Sequence, residues 1–138
     1  MPVNRLFAGM DASASALSAE RLRMTVASEN LANAGSTRKL ADGLPYARQR
    51  VVFREVLDRQ GQGTGQVEAQ VVSSPRYTSR HEPGHPDADA EGRVVESDID
   101  AILELTDLMV AGKAYEANAN AVKGVMRLHE SALKLGER

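Results

Sequence analysis

Apolar residues recur at seven-residue intervals at both ends of the chain, but not in its middle. Near the N-terminus Met10, Leu17, Met24 and Leu31 fall on one line. Leu6, Ala27 and Ala34 lie on an adjacent line, which Ser13 and Glu20 interrupt. A repeat of this length predicts a helix with a coiled-coil-like seam. The pattern runs from about Asn4 to Ala34. Gly35 stands just beyond it, where a left-handed residue ends a helix most easily. Near the C-terminus Leu105, Leu108, Gly112, Tyr115, Ala119, Val122, Met126, His129 and Leu133 form a second seam. There Gly112 and Ala119 permit close backbone approach. Ser97 is read as the N-cap of that helix and Asp100 as its N3 acid, a variant of the capping box. Asp98 and Asp100 also suit the positive end of a helix. The helix is expected to reach about Leu135, with Gly136 as its stop.

Between the helices the periodicity changes. Four of the five prolines and most of the glycines lie in this region. Tyr46–Val56 is rich in β-branched and aromatic residues and reads as a strand. Gly61–Gly65 is a flexible turn, and Gln66–Ser73 pairs back as the second strand of a hairpin. Arg76–Ser79 and Arg93–Glu96 are short strands flanking a turn-rich loop, His81–Gly92. The fold class is therefore α+β: two long terminal helices forming a coiled-coil-like axial domain, with a small β-rich insertion. The segments are 1–35, 36–96 and 97–138.

Composition narrows what such a chain does. Aromatic residues make up 4% of 138 residues and Trp is absent. Large cores normally draw on aromatic rings for buried area. Here Ala, Val and Leu dominate, which favours close helix–helix packing. The 17 basic and 19 acidic residues give a net charge of -2, without the basic excess of a nucleic-acid binder. Cysteine is absent, which removes disulfides and thiolate chemistry. The N-terminus has no continuous apolar stretch of the secretory-signal kind. No run of about 20 apolar residues is present to span a membrane as a helix.

A second helix of the predicted length extends for more than about 50 Å at 1.5 Å per residue. Two such helices on a small β patch do not make a compact ball. Leu22 and Val26 on the first helix, and Leu103 and Val110 on the second, are expected to face outward. Apolar residues on outward faces call for partners, most simply further copies or relatives of the same chain.

Specific motifs give those partners a family. Ser28-Glu29-Asn30-Leu31-Ala32-Asn33 resembles the N-L-A-N signature that closes the first helix of bacterial flagellar rod and hook axial proteins. Gly43-Leu44-Pro45-Tyr46 followed by Arg50-Val51-Val52-Phe53 is similar to the G-x-P-Y…VVF run of the proximal-rod branch. Glu82-Pro83-Gly84-His85-Pro86 with Ala88-Asp89-Ala90-Glu91-Gly92 matches that branch's P-G-x-P-x-A-D-A-x-G segment. Ala114-Tyr115-Glu116-Ala117-Asn118 resembles its C-terminal-helix motif, as does the ending Ala132–Gly136. Lys113, Arg93 and Gly35-Ser36 depart from the family's usual residues.

The resemblance implies a structural role without catalytic residues or cofactor. It implies export through the flagellar type III apparatus and polymerisation into a hollow, periplasm-crossing drive shaft. It implies association with further copies, with the rod proteins FlgB, FlgF and FlgG, and with the rod-base adaptor FliE. It also implies termini that are poorly ordered before assembly, in keeping with folding coupled to binding. The residues assigned to the assembly interface are Met10, Leu17, Met24, Asn30, Leu31, Asn33, Leu105, Leu108, Gly112, Tyr115, Asn118, Val122 and Met126.

Several of these residues carry two readings. The amides of Asn30 and Asn33 either bond across subunits and fix register, as polar seam residues do, or end their helix. Asn118 and Asn120, poor helix formers, are read toward interface bonding. Tyr115 packs on another helix. His81, His85, Asp87 and Asp89 have metal-ligand chemistry, and Asp87-x-Asp89-x-Glu91-Gly92 with Val94 and Asp98 loosely fits a Ca²⁺ loop. Position 12 is Asp rather than Glu, and Pro83 and Pro86 oppose an entering helix, so a turn-rich loop is preferred and no metal is assigned. Arg48, Arg50 and Arg54 alternate along a strand and are read as a solvated or subunit-contacting face. The alternatives to a rod subunit are a non-polymerising coiled-coil adaptor or export-associated protein, and a small metal-binding module.

Overall fold

A computed structural model describes residues 2–136, with side chains from residue 8 onward; Leu6 lies outside the described side chains. The element order is α1 (Pro2–Ala32), β1 (Gln49–Leu57), β2 (Gly63–Ser73), β3 (Tyr77–His81), β4 (Arg93–Ser97) and α2 (Ala101–Gly136). Two two-stranded sheets, β1-β2 and β3-β4, follow one another in sequence between the helices. The α+β class is thus as the periodicity indicates.

Local chemistry sets the boundaries. α1 tightens at its end: the Asn33 amide donates to the carbonyls of Glu29 and Asn30, and Ala34 donates to Leu31. Gly35 then takes φ 68°, the left-handed geometry that a side chain would oppose. The start of α2 departs from expectation. Asp100, not Ser97, is the N-cap. Its Oδ1 accepts from the Ile102 and Leu103 amides at 2.9 and 3.3 Å, and its carbonyl accepts from Glu104. Ser97 is instead the last residue of β4. Its hydroxyl donates to the Tyr46 carbonyl, and a residue paired in a sheet cannot also cap a helix. Aspartate caps as well as serine does, so the nearer residue prevails.

The chain divides into two compact units. One combines residues 1–22, 52–70 and 110–138. In it Ala19 and Ala111 are buried. The Ser15 hydroxyl donates to the Ala12 carbonyl and accepts the Val67 amide at 3.1 Å, which ties α1 to β2. The hairpin tip is an Asp58 turn, whose carboxylate accepts the Gln60 and Gln62 amides at 2.8 Å.

The other unit combines residues 23–51 and 71–109. Its core holds Val26, Ala27, Pro45, Val94 and Ile99. Val26 had been expected to face outward but is 4% exposed, and Leu22 is half-buried. Leu103 and Val110 are exposed, as expected. β3 and β4 are antiparallel in the register Tyr77↔Ser97 to His81↔Arg93. Their loop closes through Gly92, which has φ 74°. A Cβ there would lie 2.9 Å from Pro83 Cγ, so glycine is required on two grounds.

The buried residues of the helices fall partly on the predicted seams and partly beside them. Ala27 of α1 lies on its seam, while Ala19, Val26 and Asn30 of α1 and Glu104 and Ala111 of α2 each lie one position away, or about 100°. Leu108 and Val122, on the predicted α2 seam, are half-buried, as are Met10, Leu17, Met24 and Leu31 on that of α1.

Candidate assembly interface

The most enclosed polar group in the second unit is the side chain of Asn30, 1% exposed. Its Nδ2 donates to the Gln49 carbonyl at 2.7 Å and to Glu104 Oε2 at 2.9 Å. Its Oδ1 accepts from the Gln49 amide at 3.0 Å and from the Tyr46 hydroxyl at 3.1 Å. The capacity of one amide is fully used. Glu104, 2% exposed, is held on its other oxygen by Arg48, with Nε at 2.7 Å and a terminal nitrogen at 2.6 Å. One turn further along α2, Asp107 receives a two-nitrogen contact from Arg23 of α1. The interior face of α2 is therefore charged and paired here.

Tyr46 feels this surrounding. Burial, followed by the negative charges of Glu29 and Glu104, holds its phenol above its ordinary pKa of 10.0, so it remains a neutral donor to Asn30. The cluster joins three of the motifs read in the sequence: Asn30 of N-L-A-N, Tyr46 of the G-x-P-Y run, and the first turn of the C-terminal helix. Arg48 does not belong to a solvated face, as its alternation with Arg50 and Arg54 suggested. A buried carboxylate draws it inward, while Arg50 and Arg54 are exposed. Glu104 was not singled out from the sequence. Its one signal was an acid set within the apolar run Ile102-Leu103-Glu104-Leu105.

The opposite face of α2 is apolar and open. Ile102, Leu103, Leu105 and Met109 are 76, 63, 48 and 59% exposed. Of fifteen large apolar side chains exposed among the described residues, ten lie on α2. Near its end Met126 and Leu133, and likewise Leu128 and Leu135, repeat at seven residues with all four exposed. The usual amphipathic arrangement, apolar inward and polar outward, is reversed over the first turns.

The residues assigned to assembly divide accordingly. Leu105, Tyr115 and Met126 are exposed, while Met10, Leu17, Met24, Leu31, Leu108, Gly112 and Val122 are half-buried. The asparagines make bonds within the chain. Asn30 belongs to the cluster, Asn33 donates to the Glu29 carbonyl at 2.8 Å, and Asn118 donates to the Ala114 carbonyl at 2.9 Å.

In the 82–92 loop the acidic side chains are engaged by turn amides, arginines or Thr37. Asp89 Oδ1 accepts the amides of Glu91 and Arg93 at 3.0 and 2.7 Å, and Oδ2 accepts Arg93 Nε at 3.1 Å. The hydrogen bond from the Arg93 amide, helped by the Arg93 charge, holds the Asp89 carboxyl below its ordinary 3.8. Asp87 accepts from Thr37 at 2.8 Å, and Asp98 lies 3.4 Å from Arg76. Among the described residues no three His, Asp or Glu side chains converge on one point as a metal site requires.

Residues 90–135 match the family described as "Flagellar basal body rod FlgEFG protein C-terminal". The chain is 34% identical to the flagellar basal-body rod protein FlgC of Bacillus subtilis, over 95% of this chain and 98% of that one. It is 37% identical to FlgC of Salmonella typhimurium, over 92 and 95%. It is 32% identical to FlgC of Borreliella burgdorferi, over 94 and 97%. The chain belongs to the FlgC family of flagellar basal-body rod proteins. It is a structural subunit, and its place is the rod of the basal body. The match to the C-terminal family spans both sides of the 93–97 strand and nearly all of α2, the element with most of the exposed apolar surface. No helix among the described residues is long and apolar enough to cross a membrane.

Proposed function

We propose that this rod subunit leaves the cell through the flagellar type III export apparatus and polymerises through the outward faces of its helices, with no catalytic role. Its neighbours in this reading are further copies and the rod proteins FlgB, FlgF and FlgG, with the adaptor FliE at the rod base. The segments 1–35 and 97–138, which hold α1 and α2, supply the axial contacts, and 36–96 is the insertion between them. The contact residues are those assigned from the sequence other than Asn30, which is enclosed within the chain, together with Ile102, Leu103 and Met109.

The observation that carries the proposal is the reversed amphipathicity of α2. Glu104 and Asp107 are paired on the inside, while Ile102, Leu105 and Met109 face outward. Burying each such side chain fully is worth about 1.5–3 kcal/mol. A contiguous patch of this kind marks an interaction site. Leu105→Lys tests it. The residue is 48% exposed, so the isolated chain should keep its unfolding free energy within about 0.5 kcal/mol. Cells carrying it in place of the wild type should lack rods and fail to swim. Normal swimming would remove Leu105 and its stripe from the interface.

A further inference from the structure

The connection from α1 to β1 carries a second kind of surface. The segment 38–44 forms a tight turn. The Leu40 amide donates to the Leu44 carbonyl at 2.8 Å, and the Gly43 amide donates to the Leu40 carbonyl at 2.9 Å. The Leu44 amide donates to Asp42 Oδ1 at 3.1 Å, and Gly43 takes φ 80°. Both ends are anchored. The Ser36 carbonyl accepts the Ser97 amide at 3.0 Å, Thr37 bonds to Asp87, and Pro45 is buried. The turn therefore holds its shape without a partner, and ordering it costs little on binding.

Its side chains are those of a contact. Leu40 and Leu44 are 52 and 43% exposed. Arg38 and Lys39 are exposed and have no hydrogen-bond or ion-pair partner among the described residues. Beside them lies a cleft of about 540 Å³ lined by Asn33, Ser36, Arg38, Lys39, Leu40 and Tyr46, with no acidic side chain in its wall.

The same unit carries the complement. At the start of α2 a depression of about 350 Å³ is lined by Arg48, Arg76, Asp98, Asp100, Leu103 and Glu104. Two guanidinium groups stand against three carboxylates, leaving one net negative charge. Arg48 is held by Glu104 and Arg76 lies 3.4 Å from Asp98, while Leu103 is 63% exposed at the site.

From this complementarity we propose that the Arg38–Leu44 turn of one copy seats in the Asp98–Leu103 depression of a second copy. Leu40 packs on Leu103, and Arg38 and Lys39 face Asp98 and Asp100. This contact rests on the polymerisation reading and specifies one joint of it. Steering by opposite charge selects the pair, and apolar contact between the two leucines excludes water from it.

The chain has no cysteine, which makes the test direct. A chain with Leu40→Cys and a chain with Leu103→Cys are co-expressed in cells lacking the native subunit, and basal bodies are isolated and oxidised. A disulfide-linked dimer is expected from the mixture and from neither variant alone. A dimer from Leu40→Cys alone, linkage only to a different rod protein, or no linkage in assembled rods each overturns the proposal. Charge exchange gives a second readout. Arg38→Glu with Lys39→Glu should abolish swimming, and adding Asp98→Lys with Asp100→Asn, which keeps an N-cap, should restore it. Unchanged swimming, or no restoration, also counts against the contact. Absence of the unaltered chain from rods would instead reject the polymerisation reading on which it rests.

Discussion

At the residue scale, the cluster around Asn30 accounts for why the N-L-A-N asparagine, the G-x-P-Y tyrosine and Arg48 occur in one chain. Each satisfies a buried group of another. Removing a single member leaves a buried partner short of a hydrogen bond. Asn30→Ala should lower the stability of the isolated chain by about 1–3 kcal/mol in urea unfolding, because the Gln49 amide and Glu104 each lose a partner. Arg48→Met should cost at least as much, by leaving the buried Glu104 carboxylate with only Asn30, whereas Arg48→Met with Glu104→Met should recover part of the loss. The pH dependence follows from Tyr46. Its folded pKa is raised above 10.0, so its contribution is complete below pH 10 and lost as pH rises through the raised value. Tyr46→Phe should remove that alkaline component of the unfolding profile. Gly92→Ala combines a left-handed backbone with contact on Pro83 and should destabilise by about 1–3 kcal/mol.

At the element scale, much of the fold was legible from the sequence. Both helices, the hairpin and the short β3-β4 pair follow from changes in period along the chain. Which helical positions are buried within the chain followed only in part. Ala27 lies on the seven-residue seam, but Ala19, Asn30 and Glu104 lie beside it, residues whose hydropathy does not advertise burial. The interaction of Arg48 with Glu104 is a pairing distant in sequence, and local alternation cannot reveal it. The difference in burial is open to test. Ala111 is fully buried, so Ala111→Leu should overpack its site and cost about 1–3 kcal/mol, whereas Leu105→Ala should leave the chain's stability nearly unchanged. Equal effects of the two would contradict the different burial of these two positions.

At the scale of the whole molecule, the fully buried apolar side chains among the described residues are few and small, and many larger ones are half-buried or exposed. Val26, Val94 and Ile99 are the largest apolar side chains in the buried core, against the exposed Ile102, Met109, Met126 and Leu133. Such a distribution is poorly suited to a protein that functions alone, and well suited to one whose core is completed by neighbours. Membership of a rod-protein family gives those neighbours a setting, and the outward face of α2 is the surface proposed for them. The most direct measurement is thiol labelling of a Met109→Cys chain, free and in isolated rods. The account predicts rapid modification of the free chain and strong protection in the rod. Equal labelling in both would show that the exposed face of α2 remains uncovered on assembly and would contradict it.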